Sequence, residues 1–111
     1  MADKPLVWLH GEVKTPPFSL AARRSAGFFL RLIQQDLFVS MPHARPMPGI
    51  GAHCHELRIR DPESAVTWRI IYRIDVDAIV ICEVFVKKTQ TTPRHVIDTC
   101  KRRYKLYDAS S

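Results

Sequence analysis

The sequence predicts an α+β domain in which a small antiparallel sheet of about four strands packs against an N-terminal helical segment and a C-terminal helix. Three observations carry that class. Three β-rich runs follow one another through the second half (His53 to Arg60, Thr67 to Ile74, Ala78 to Val86), each joined to the next by a connection of hairpin length. Ahead of them, Ala22, Ala26, Phe29, Leu30, Ile33 and Leu37 recur at helical intervals, and behind them Val96 or Ile97, Cys100, Tyr104 and Tyr107 do the same.

Taken in order, Leu6 to His10 is short, apolar and β-prone, and reads as an opening strand that pairs with the later sheet. Thr15-Pro16-Pro17 signals the start of the first helix, because proline's fixed φ suits a first turn that has no use for its missing N–H. Arg23, Arg24, Gly27, Arg31, Gln34 and Gln35 fall on the wet side of that helix. Ser40 to Ala52 holds three prolines and two glycines, which excludes a helix or a central strand there and leaves a structured loop. In the meander, the turns are Asp61-Pro62-Glu63-Ser64 and Asp75-Val76-Asp77. A three-residue second turn sets Ile74 opposite Ala78, Tyr72 opposite Val80, Ile70 opposite Cys82 and Trp68 opposite Val84 as the core face. Thr92-Pro93 then opens the closing helix, with the threonine hydroxyl as its cap. Residues 1–4 and 108–111 are expected to fray around a single domain spanning 1–111.

Alternation along the strands decides where the charges point. Residues two apart share a face, so Arg58 and Arg60 project together, and Arg69, Ile71, Arg73, Ile81, Glu83, Phe85 and Lys87 form the matching side of the next two strands. The expectation is a sheet with one cationic and one apolar face. The chain as a whole carries 17 Lys and Arg against 11 Asp and Glu, a net charge of +6, which favours an acidic partner such as nucleic acid. Its three cysteines form no Cys-x-x-Cys pair, which argues against a disulfide framework or a zinc ribbon and for a reducing, cytoplasmic setting. His53 and His55 flank Cys54, but no further ligands stand at metal-binding spacing. No apolar run is long enough to span a bilayer.

Four strings in this order, Met-Pro-His-Ala-Arg-Pro-Met-Pro-Gly-Ile-Gly (41–51), His-Glu-Leu-Arg-Ile-Arg-Asp (55–61), Trp-Arg-Ile-Ile-Tyr (68–72) and Phe-Val-Lys-Lys-Thr-x-x-Thr-Pro (85–93), resemble the RelE/ParE superfamily of bacterial toxins, in its phage-derived, HigB-like branch. The resemblance implies a RelE-like fold and the toxin of a type II toxin–antitoxin system. Such a toxin is an mRNA interferase: it enters the ribosomal A site and cuts mRNA, inhibiting translation. It further implies a helix-turn-helix antitoxin, operator DNA bound only through the complex, and attack by the ribose 2′-hydroxyl on the adjacent phosphate without metal or cofactor. By the same resemblance, Arg69 matches the strand arginine that contacts the scissile phosphate. Arg58 and Arg60 match basic positions on the preceding strand, and Lys87 and Lys88 the basic pair after the last one. Arg73, Phe85, Arg45, His55 and His95 are the further RNA-binding candidates. The chain departs from RelE in reading Thr-Pro-Arg-His (92–95) where that enzyme ends its site with tyrosine. That leaves the general acid open, with His55 and His95 as candidates because imidazole chemistry suits neutral pH. The alternative class is a non-catalytic binding module, either a ParE-like gyrase inhibitor or a degenerate toxin that regulates its operon through the antitoxin.

Overall fold

The computed structural model describes residues 3–9, 17–86 and 91–110. Within them lie β1 (Leu6–Trp8), α1 (Leu20–Gln34), β2 (Ala44–Pro46), β3 (Cys54–Asp61), β4 (Val66–Ile74), β5 (Ile79–Val86) and α2 (Arg94–Ser110). The strands form one sheet in the order β1-β5-β4-β3-β2. The α+β class and the central meander agree with the sequence, and the arrangement is compatible with a RelE-like fold. The sheet nevertheless has five strands and is mixed. β1 runs parallel to β5, and three residues inside the proline-rich loop pair with β3. That loop excludes a central strand, but Pro46 sits on an edge, where its missing N–H breaks no ladder. His10, Thr15 and Pro16, on which the end of the first strand and the helix-start signal rest, lie outside the described residues.

Both faces of the sheet are apolar for much of their area, which corrects the expectation of one apolar and one cationic side. Leu57, Ile59, Trp68, Ile70, Tyr72, Ile79 and Ile81 pack with Ala22, Ala26, Leu30 and Ile33 of α1. At 1.5–3 kcal/mol for each large side chain removed from water, roughly, this is the greater core. On the other face, Cys54, Ile71, Val80 and Cys82 meet Val96, Cys100 and Tyr104 of α2. Leu37, expected in the α1 stripe, is exposed because the helix ends at Gln34.

The register of β4 and β5 differs from the three-residue-turn expectation. Asp75 N–H donates to the Ala78 carbonyl at 2.9 Å, so the connection is one residue longer and Ile74 pairs with Ile79, Tyr72 with Ile81. A bulge then intervenes between Ile71 and Tyr72 and adds a second shift, so that Ile70 pairs with Val84 and Trp68 with Val86, two residues beyond the expected partners Cys82 and Val84. The outcome is that Ala78, Val80 and Cys82 move to the α2 face while Ile81 joins the α1 face. A bulge sets two residues against one. Here Cys82 packs in the α2 core and its neighbour Glu83 meets Arg103 of α2 at 3.3 Å.

Asp61, fully buried at the end of β3, ties α1 to the first hairpin. It accepts from Ser19 Oγ at 2.6 Å and Ser19 N–H at 3.1 Å, from Glu63 N–H at 3.1 Å and from Trp68 Nε1 at 3.3 Å. Ser19 in turn caps α1 by accepting from Ala22 N–H at 3.1 Å. The Ser19 hydroxyl bond is the leading reason that the Asp61 carboxyl is held far below the usual carboxylate range. Two ion pairs lie near the ends of the described segments. Lys4 pairs with Asp36 at 2.7 Å, and α2 continues to Ser110 with Asp108 held by Arg73.

Candidate nucleic-acid interface

Among the described residues, α2 covers one side of the sheet over β5, and on that side the strand arginines gather toward the far end of β3 and β4. Arg58 pairs directly with Arg69 across the ladder, and Arg60 with Thr67, so cross-strand geometry places all three on one face. Arg45 joins from β2, directly opposite Glu56 in the ladder. Two of the predicted candidates are thereby brought next to each other, with Arg60 two residues along and Arg45 at the flank.

At the centre stands Glu56, a buried carboxylate. Its Oε1 lies 3.3 Å from Arg45 Nε and 3.7 Å from Arg69 Nη1. Its Oε2 accepts a 2.7 Å hydrogen bond from the hydroxyl of Thr92, two residues before α2. The threonine hydroxyl therefore does not cap the helix as the sequence suggests. Instead, Val96 and Ile97 N–H groups close the first turn on the Pro93 carbonyl. Among the described residues, Arg45 and Arg69 pair with this carboxylate and Arg58 stands opposite Arg69, three positive charges to one negative.

Arg69 itself is only 7% exposed. Desolvation is the main cause that lowers the pKa of its guanidinium, with the neighbouring Arg58 adding to the effect and Glu56 opposing it. Among the described residues, Arg45 and Arg69 each leave a buried Nε–H without a hydrogen-bond acceptor. An unmet buried donor costs about 1–3 kcal/mol. Beside Arg45 and Arg69 stand the half-buried Arg58 and the exposed Arg60, neither of which has a carboxylate partner among the described residues.

A cleft of about 480 Å³ runs from this cluster around the edge of β3, where β2 has already ended; Arg58, Arg60 and Thr67 line one part, Phe29, His43 and Ile59 another. Phe29 and His43 lie ring to ring, 4.7 Å between centroids. Cationic and aromatic surfaces thus adjoin.

The remaining candidates are distributed elsewhere. Arg73 shares the arginine face but sits at the end that α2 covers. It donates to Asp75 at 2.7 and 2.9 Å and to Asp108 at 2.7 and 3.1 Å, and stacks over Tyr104 at 4.6 Å. The Asp75 and Asp108 hydrogen bonds raise its pKa further above the usual arginine range. It is an anchor for α2, and the larger cleft beside it, about 630 Å³, holds those aspartates. His55 faces α1 rather than the arginines, stacked on Tyr72 at 5.3 Å, as its odd position relative to Arg58 requires. Phe85 pairs with Arg69 and packs against the α2 core, and His95 is exposed in the first turn of α2. Lys87 and Lys88 lie outside the described residues. Glu56, Thr92 and His43 are not among the site candidates that the sequence offers, Thr92 being expected only as a helix cap. Glu56 was within reach of sequence reasoning, since it lies two residues before Arg58 and so shares its face. Nothing in the sequence placed Thr92 or His43.

Comparison with known proteins gives one family. The profile described as "Phage derived protein Gp49-like" matches residues 17–105, from the residue before Phe18 into the last turns of α2. No curated protein matches the chain.

Proposed function

This chain belongs to the phage-derived Gp49-like family, and on that premise we propose that it is the toxin of a toxin–antitoxin pair, an endoribonuclease that cuts messenger RNA on the ribosome. A Gp49-like chain is consistent with the toxin of a toxin–antitoxin pair in general. The observation that carries the finer reading is the arginine cluster: three guanidinium groups to one carboxylate among the described residues, two of them with buried donors unmet. Arginine's planar, paired donors match phosphate oxygens, and the excess of positive charge stabilises the phosphorane as its oxygens become more negative.

In this scheme the ribose 2′-oxygen bonds to the adjacent phosphorus as the bond to the 5′-oxygen breaks. The 2′-proton leaves, the 5′-oxygen gains one, and the products end in a 2′,3′-cyclic phosphate and a 5′-hydroxyl. Arg58 and Arg60, the more accessible members, hold the phosphate. Arg69 supplies charge from beneath, and Phe29 and His43 offer a face on which a neighbouring base stacks. Since guanidinium stays protonated, these residues act through charge and orientation rather than proton transfer.

The burial of Arg69 favours a second reading, in which the cluster is structural and the protein a non-catalytic module. Induced expression separates the two. The nuclease reading predicts cleaved messages and growth arrest that Arg58→Ala relieves while the protein stays folded. Intact messages, with either DNA damage or normal growth, would establish the binding module instead.

A further inference from the structure

We propose that Glu56 is a positioning residue, a buried strut that aims Arg45 and Arg69 and fastens both to the entrance of α2 through Thr92. The inference rests on the reading of the arginine cluster as an RNA phosphate site. Four elements meet at this one carboxylate: β3 supplies it, β2 brings Arg45 to 3.3 Å, β4 brings Arg69 to 3.7 Å, and the segment leading into α2 donates the Thr92 hydroxyl at 2.7 Å. Arg45 Nη2 also reaches that hydroxyl, at 3.5 Å.

Complete burial of Glu56 excludes direct contact with a ribose in this conformation, so its effect runs through the groups it holds. Three guanidinium groups packed together repel one another, and without a fixed negative charge each would turn toward water. Glu56 holds Arg45 through its Nε at 3.3 Å and Arg69 through its Nη1 at 3.7 Å, contacts of charge that leave neither Nε–H in a formed hydrogen bond. The carboxylate therefore has two opposed consequences for RNA. It subtracts one charge from the surface that attracts the strand, and it preserves the geometry that the transition state needs. Thr92 fixes which way the carboxylate lies, and the link makes the α2 entrance part of the site.

The test separates binding from turnover. Glu56→Gln, measured with a short RNA carrying a 2′-deoxy block, is expected to bind as tightly as wild type or severalfold more tightly. Its cleavage of the unblocked RNA on programmed ribosomes is expected to fall about 100-fold, the scale of a misaimed reacting group. Thr92→Val keeps the charge and removes the tether, so its affinity stays at the wild-type value while cleavage falls, and Thr92→Ser restores cleavage. Circular dichroism confirms folding of each variant. Should Glu56→Gln be too unstable to assay, the threonine pair decides the matter.

Wild-type cleavage by folded Glu56→Gln or Thr92→Val would overturn the proposal, as would parallel loss of binding and cleavage. If wild type itself leaves RNA intact, the nuclease reading fails, and the strut is judged by the Arg45 and Arg69 Nε–H resonances in NMR. Slow exchange in wild type that becomes fast in Thr92→Val supports it, and unchanged exchange refutes it.

Discussion

Replacing Arg58 by alanine tests whether the far end of β3 and β4 meets phosphate, because its charge is available there and Arg73's is not. Arg58 and Arg73 share a face of the same sheet. Arg73, however, is bracketed by Asp75 and Asp108 at 2.7 Å each, so that trio carries a net charge of −1. For single-stranded nucleic acid, each phosphate neutralised contributes about 0.7 to the slope of log affinity against log salt. Arg58→Ala is therefore expected to flatten the slope by about 0.7, and Arg60→Ala by a similar amount. Between 50 and 200 mM salt a slope change of that size alters the affinity gap between variant and wild type by about 2.6-fold, within reach of fluorescence anisotropy with a 2′-deoxy-blocked RNA. Arg73→Ala should leave the slope at its wild-type value and lower the melting temperature instead, because α2 loses its anchor to β4. Equal slope changes in Arg58→Ala and Arg73→Ala would mean that RNA responds to overall charge alone, and no change in Arg58→Ala would remove the site.

Three further outcomes follow from the fold. Asp61 has a folded-state pKa depressed chiefly by the Ser19 hydroxyl, so its contribution to stability is present above the unfolded carboxyl's value near 4 and is lost as pH falls below it. Asp61→Asn should be less stable than wild type at pH 7, with the difference narrowing as pH drops below about 4 in urea titrations. Gly27 lies on the exposed side of α1 with open space around a would-be Cβ, so Gly27→Ala should raise stability by about 1 kcal/mol in chemical denaturation. Burial pushes the Cys54 thiol up to about 11, and Cys82 and Cys100 are fully enclosed. All three thiols should resist modification at pH 8 in native protein and react once urea unfolds it.

Much of this was legible in the sequence for reasons that are themselves local. Period-two alternation put Arg58 on the same face as Arg69 and Trp68 with Tyr72 in the core, and three-to-four spacing found the buried faces of both helices. What escaped depends on pairing between distant segments. Ala44–Pro46 becomes a strand only because the edge of β3 is there to receive it. The bulge between Ile71 and Tyr72, and the extra residue in the preceding turn, changed sides for Ile81, Cys82 and Val80 without altering a single local propensity. Arg73 obeys the same alternation as Arg69, and its role is set by Asp108, 35 residues away. Glu56 and His55 show the opposite case: parity alone assigns the first to the arginine face and the second away from it.

The central claim is that Arg58 and Arg60, over the buried charge of Arg69, hold an RNA phosphate while the neighbouring 2′-hydroxyl attacks it. Purified protein, programmed ribosomes and a message with a single 2′-deoxy nucleotide at the mapped cut site give the most direct measurement. The account predicts cleavage of the all-ribose message to a 2′,3′-cyclic phosphate and a 5′-hydroxyl, no cut at the deoxy position, and a loss of at least about 100-fold in Arg58→Ala. A cut at the deoxy nucleotide, or wild-type cleavage by Arg58→Ala, would contradict it.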